Sequence, residues 1–217
     1  ASPLSAGAAT VVRDFLMSSG IANPSAALIK ATLINSAVDI TGYGSPTQEA
    51  GLPIPNMHEG WGRIDVAEAT KPLARRFVNN TTGLSTAGTA TYTYQANAGT
   101  PFKVSLAWSD PEAAALAATT LVNNLNLTVT APGGAVYRGN VFSGGWSTTG
   151  GLADGVNNVE NVYVQTPAAG TWTVTVTGAN VAQGPQPFAL AVNANFVPIV
   201  YTDTTYLPLI MRGVNLG

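Results

Sequence analysis

After a polar, turn-prone stretch, Asn79-Asn80-Thr81-Thr82-Gly83, the apolar residues of this chain fall on every second position. Thr91-Tyr92-Thr93-Tyr94 alternates, and Phe102, Val104, Leu106 and Trp108 alternate with Lys103, Ser105 and Ala107. Leu125, Leu127 and Val129 are set against Asn126, Thr128 and Thr130, and Pro132-Gly133-Gly134 then turns the chain. Val162 and Val164 follow, then Trp172, Val174 and Val176 between Thr171, Thr173, Thr175 and Thr177, and last Phe188, Leu190 and Val192. Successive side chains of a strand point to opposite faces, so each run has one apolar and one polar face. That is the pattern of antiparallel sheets packed face to face. Roughly six to eight such strands in about 110 residues predict a β-sandwich or jelly roll. Trp108 and Trp172 fall on its inward positions.

Before residue 80 the period is helical. Ser2 is a good N-cap and Pro3 suits the first helical position, where a missing N–H costs nothing. Leu4, Ala8, Val11, Val12, Phe15 and Leu16 keep a helical spacing, with Gly20 as the stop. Ala6, Gly7, Ala8 and Ala9 fill the gaps, so the helix is expected to be buried all round. A second capped, apolar helix is expected from Asn23-Pro24-Ser25 to about Val38, and a third from Val66 to about Arg75. Arg75-Arg76 is then a basic pair at a helix end, where cations answer the helix dipole, or else a processing site.

Particular motifs in both halves carry a family resemblance. Ala1-Ser2-Pro3, with Ala6-Gly7-Ala8-Ala9 behind it, resembles the stretch that follows the nucleophile in subtilisin-like serine peptidases (subtilases), which reads Gly-Thr-Ser-Met-Ala-Ser/Thr-Pro. Glu59-Gly60-Trp61-Gly62-Arg63-Ile64-Asp65-Val66-Ala67-Glu68-Ala69 is similar to the Gly-x-Gly-x-Ile/Val-x-Val-x-x-Ala element that closes their catalytic domain. Trp108-Ser109-Asp110-Pro111, Leu121-Val122-Asn123-Asn124-Leu125-Asn126-Leu127, Tyr137-Arg138-Gly139-Asn140 and Asn157-Asn158-Val159-Glu160-Asn161-Val162 look like the jelly-roll module appended to some bacterial extracellular subtilases. Such modules are similar to the P-domains of proprotein convertases.

The resemblance implies an α/β fragment, the C-terminal part of a subtilisin-like domain, over residues 1–83. An all-β sandwich over 84–197 and a tail or edge strand over 198–217 would follow. The nucleophilic Ser would lie two positions before Ala1, with His and Asp further upstream. The chain would then hold no catalytic residue and be inactive alone, its partner being the upstream part of the same domain. The complete protein would be a secreted serine endopeptidase acting on protein or peptide substrates. The alternative is a non-catalytic β-sandwich binding or adhesion module capped by its helical N-terminal part. The peptidase reading expects a large exposed apolar surface on residues 1–83, and the alternative expects none.

The resemblance also implies Ca²⁺, which takes six to eight oxygen ligands and favours carboxylates. Asp110, Asn124, Asn126, Asp154, Asn158 and Glu160 offer oxygens, but Asn124 and Asn126 stand where the family often has Asp. Each amide removes a charge and weakens a site, and the other reading is that these Asn side chains pair with loop backbone. Cysteine is absent and His58 is the one histidine, which excludes a thiol nucleophile and disfavours a zinc site. His58 is read as a partly exposed loop residue. A net charge of −2 gives no reason to expect nucleic acid, and no apolar run reaches the roughly 18 residues of a membrane span. Tryptophans can form a sugar platform, and of the four only Trp146, in the Gly/Ser/Thr-rich 143–151 loop, is expected to be exposed.

Overall fold

The computed structural model describes residues 2–40, 52–72 and 74–198. Among them are three helices, α1 (Ser2–Ser18), α2 (Ala26–Ser36) and α3 (Val66–Ala69). Nine strands follow: β1 (Arg75–Leu84), β2 (Thr89–Ala96), β3 (Phe102–Ala107), β4 (Asn123–Thr130), β5 (Val136–Ser143), β6 (Trp146–Thr149), β7 (Val159–Val164), β8 (Gly170–Val181) and β9 (Gln186–Asn193). They form two antiparallel sheets, ordered β1-β9-β3-β7 and β2-β8-β4-β5-β6. Their inner faces share one core, in which Phe102, Leu106 and Leu190 of the first sheet, with Trp108 just past β3, meet Trp172, Leu125, Leu127 and Val174 of the second. Phe102 stacks on Trp172 with ring centroids 4.5 Å apart.

The molecule is therefore mostly β, and the α/β fragment expected for residues 1–83 is not what forms. The third helix, expected to reach Arg75, stops at Ala69, and Arg75–Leu84 is a sandwich strand paired with β9. The stretch Asn79 to Gly83, read as a linker, lies inside that strand. It looks like a turn because it holds a bulge: the register shifts between Asn80 and Leu84, and Gly83 N–H donates to Asn80 Oδ1 (2.7 Å). Gly83 sits at φ +80°, and a Cβ there would lie 2.6 Å from the Gln186 backbone, so this crossing needs glycine.

The helices cover the outer face of the first sheet. Small side chains there, Ala107, Ala189 and Ala191, let α2 approach closely, and Ala31, Leu28 and Ile34 of α2 fill the layer with Phe77. Ser25 caps α2, its Oγ accepting from Leu28 N–H (3.1 Å), an arrangement whose loss typically costs about 1 kcal/mol. A buried polar network fixes the register. Asn35 donates to Ser105 Oγ (3.2 Å) and Ala191 O (3.1 Å), and accepts from Arg75 Nη1 (2.9 Å). Tyr163 Oη donates to Ile34 O (3.2 Å) at the far side of the same sheet.

α1 is less buried than its sequence suggests. Only Ala8, Val12 and Leu16 are buried, on α2 and α3, whereas Leu4, Val11 and Met17 are 82%, 49% and 41% exposed. No other described element of the chain covers that side of the helix. The apolar segment Tyr206–Arg212 lies outside the described residues.

Candidate functional site

The polar residues singled out in the sequence gather where the β3–β4 and β6–β7 loops leave the sandwich. Asp110, three residues past β3, accepts from Val122 N–H and Asn123 N–H (both 2.8 Å), one on each carboxylate oxygen. Its role is to fold the loop back onto β4. Asp154 is more heavily engaged. Its oxygens accept from Val156 N–H (2.8 Å), Asn157 N–H (3.1 Å), Asn140 Nδ2 (2.6 Å) and Asn157 Nδ2 (2.7 Å). Burial works to raise this carboxyl's pKa, but the hydrogen bonds outweigh it and hold it below its ordinary value. Asn158 Oδ1 accepts from Lys30 Nζ of α2 (3.0 Å), so that amide pairs with a side chain and not with loop backbone.

Asn124, Asn126 and Glu160 behave differently. Glu160 of β7 is 1% exposed and spans the gap between the sheets, its Oε2 accepting from Leu127 N–H of β4 (2.6 Å). A Cβ at Gly139 would collide with this carboxyl, so the glycine of Gly139-Asn140 makes its room. Burial pushes the Glu160 pKa up to about 8, with the Leu127 bond opposing and Asp154 adding repulsion. Glu160 Oε1, Asn124 Oδ1 and Asn126 Oδ1 are buried without a hydrogen-bond partner. The two amide oxygens are acceptors, Glu160 Oε1 is the oxygen placed to carry the proton of this raised-pKa carboxyl, and buried polar atoms are normally satisfied.

The fit to Ca²⁺ can be judged from this donor set. Partnerless oxygens are the kind of donor a hard cation takes, and the Asp154 loop lies beside Asn124, since a Cβ on Gly155 would stand 3.7 Å from Asn124 Nδ2. Charge is short: among the described residues no group of three or more His, Cys, Asp or Glu side chains is placed to hold a metal. Asn140 was not singled out by the sequence. At φ +60° it ties Asp154 to Val159 O (2.7 Å) and accepts from Asn161 N–H (2.9 Å). Gly139-Asn140 as a pair was its one signal.

Elsewhere, His58 is exposed in a turn, its N–H donating to Asn56 Oδ1 (2.9 Å). Glu59 beside it accepts from Ile40 N–H and Asn56 Nδ2 (both 2.9 Å). Arg75, 3% exposed within β1, is closed to a processing enzyme, and Arg76 lies 4.5 Å over the Phe196 ring. Trp146 is part-buried on β6, 6.0 Å from Lys103 Nζ, and not in an open loop. Trp61 instead borders open clefts, held edge-on by Phe142 (5.3 Å) and Tyr163 (5.8 Å). One cleft, of about 510 Å³, is an apolar groove on the helical layer, where Ala9, Ile29, Leu33, Trp61 and Ile64 meet with Lys30 at the rim.

No family model matches the chain. It is similar to two curated proteins of Dictyostelium discoideum. One is the serine protease/ABC transporter B family protein tagA, 28% identical over 193 residues, covering 79% of this chain and 10% of that protein. The other is tagD, of the same description, 26% identical over 245 aligned positions, covering 87% of this chain and 13% of that protein. The chain thus spans about a tenth of the length of these relatives. Among solved structures, it is similar in part to the periplasmic inhibitor of g-type lysozyme from Aeromonas hydrophila (TM-score 0.32, 20% identity, 56% of this chain and 86% of that one). The Penaeus vannamei nodavirus P-domain is another partial match (TM-score 0.26, 14% identity, 55% and 96%).

Proposed function

We propose that this chain is a non-catalytic portion of a secreted, subtilisin-like serine endopeptidase, contributing a β-sandwich and the helical face onto which the catalytic part packs. The observation that carries this reading is the match to two proteins described as serine proteases, over 79% and 87% of the chain. The motifs at Ala1–Ala9 and Glu59–Ala69 favour the protease half of that description over the transporter half. The uncovered side of α1, with Leu4 and Val11 outward, and the adjoining apolar groove supply the exposed apolar surface that the peptidase reading expects. The triad would belong to the catalytic part: Ser attacking the peptide carbonyl, His as general base, Asp orienting it.

The test is proteolysis of an unstructured protein such as casein. The chain alone is expected to be inactive. A longer protein joining it to its natural upstream sequence is expected to be active and to be silenced by a serine-directed inhibitor. A folded, inactive longer protein would contradict the reading.

A structural Ca²⁺ belongs to the same proposal. Asn124, Asn126 and Glu160 are the candidate ligands that keep an oxygen without a partner, and an ion bound through Glu160 would have to displace the proton that this carboxyl holds up to about pH 8. A chelator is then expected to lower the melting temperature of the chain, and an unchanged melting curve would remove calcium from the account.

A further inference from the structure

A second cleft, of about 480 Å³, opens where α2, the Trp61 turn and the 154–158 loop meet. It shares Lys30, Ile34 and Trp61 with the apolar groove of the proposed function, but its polar groups on the 154–158 loop belong to neither that reading nor the cation site. Its size falls in the range of small-molecule sites, and it lies at a junction of structural layers, where such sites concentrate. Its polar groups are Lys30, Asn140, Asp154, Asn157 and Asn158, and its apolar wall includes Trp61.

The hydrogen bonds already made define what is left for a ligand. Asn140 uses both ends of its amide and Asp154 accepts four bonds, so these two are scaffold. Asn157 is held through Nδ2, which leaves its Oδ1 as an acceptor. Asn158 is held through Oδ1, which leaves its Nδ2 as a donor. An acceptor and a donor on adjacent residues, both pinned in place, match neighbouring hydroxyls, each of which can donate and accept. The Lys30 ammonium and Asp154 carboxylate offset one another, so the cleft has no net charge to offer an ionic ligand. Trp61, fixed by Phe142 and Tyr163, is a rigid amphipathic wall suited to the C–H face of a sugar ring.

We infer that this cleft binds a neutral saccharide, packed against Trp61 and hydrogen-bonded by Asn157 and Asn158. The inference does not rest on the peptidase reading.

Cellohexaose, chitohexaose and mannohexaose are titrated into the whole chain, with Trp fluorescence and indole N–H chemical shifts as readouts. At least one is expected to bind saturably and to shift the Trp61 indole resonance while the buried Trp108 and Trp172 stay unmoved. Asn157→Ala and Asn158→Ala, each removing one hydrogen bond, are expected to weaken binding about tenfold. Trp61→Phe is expected to weaken it as well, and Trp146→Ala to leave it unchanged. Binding of none of the three sugars would overturn the inference, as would binding that survives both Asn substitutions. So would an unstructured peptide that shifts Trp61 where the sugars do not.

Discussion

The two sheets of the sandwich share one core and part company on their outer faces. The second sheet turns Thr89, Thr91, Thr93 and Gln95 of β2, and Thr171, Thr173, Thr175 and Thr177 of β8, toward solvent. The first sheet carries Phe77, Ser105, Ala107, Ala189 and Ala191 on its outer side and hides them under α2. The difference teaches that the helical layer is built into the sandwich and is not an appendage. A sheet face of alanines needs a cover, and the polar groups that fall beneath that cover must find partners there. Asn35, Arg75, Ser105 and Tyr163 supply most of those partners to one another, with Arg75 Nη2 left without one. What the helices leave uncovered is their own far side, and the proposed function places the catalytic part on it.

The sharpest way to break this comparison is to cavitate the cover. Leu28→Ala is expected to cost about 2–5 kcal/mol and to lower the unfolding midpoint of the sandwich together with the helices. Two separate denaturant transitions would show a detachable layer. Asn35→Ala removes an acceptor from buried Arg75 and a donor from Ala191 O, and is expected to cost about 1–3 kcal/mol in the same measurement.

Glu160 sharpens the contrast through pH, because it belongs to the covered sheet and caps a strand of the open one. Its pKa is raised in the folded state, from an ordinary 4.5 to about 8. Stability is therefore fully present below the ordinary value and is lost as pH rises through the raised one. Denaturant titrations without added cation at about pH 5 and about pH 9 are expected to show that fall, and Glu160→Gln to flatten it. The smallest effect is expected on the open face, where Thr175→Val should stay within about 0.5 kcal/mol.

What was legible in the sequence cuts across that division. Alternation with one apolar face marks β2, β4 and β8 of the open sheet and equally β3 and β9 of the covered one, whereas β5 and β6 of the open sheet, where 143–151 was read as a loop, carry no such alternation. β7 is buried at every position, and its Glu160, Asn161 and Tyr163 interrupt any simple pattern. β1 was hidden for another reason: the residues its bulge requires are those that ordinarily mark a linker. The all-round burial expected of α1 failed because nothing described in this chain covers its second side. Residue type alone pointed to Asp110, Asn124, Asn126, Asp154, Asn158 and Glu160 alike and could not separate those with a free oxygen from those already engaged. The engagement of Asp110 and Asp154 depends on how two loops fold back on their own N–H groups. No local pattern encodes that path, nor the contact of Lys30 with Asn158 across 128 residues.

The measurement that bears most directly on the account is native-state hydrogen exchange, on this chain alone and on the longer protein that includes its natural upstream sequence. α2 is predicted to be as protected as β3 and β9 in both, since it unfolds with the sandwich. α1 is predicted to exchange readily in the isolated chain and to become protected in the longer protein, where its apolar side is covered. Equal exchange of α1 in the two proteins, or an α2 that opens independently of β3 and β9, would contradict it.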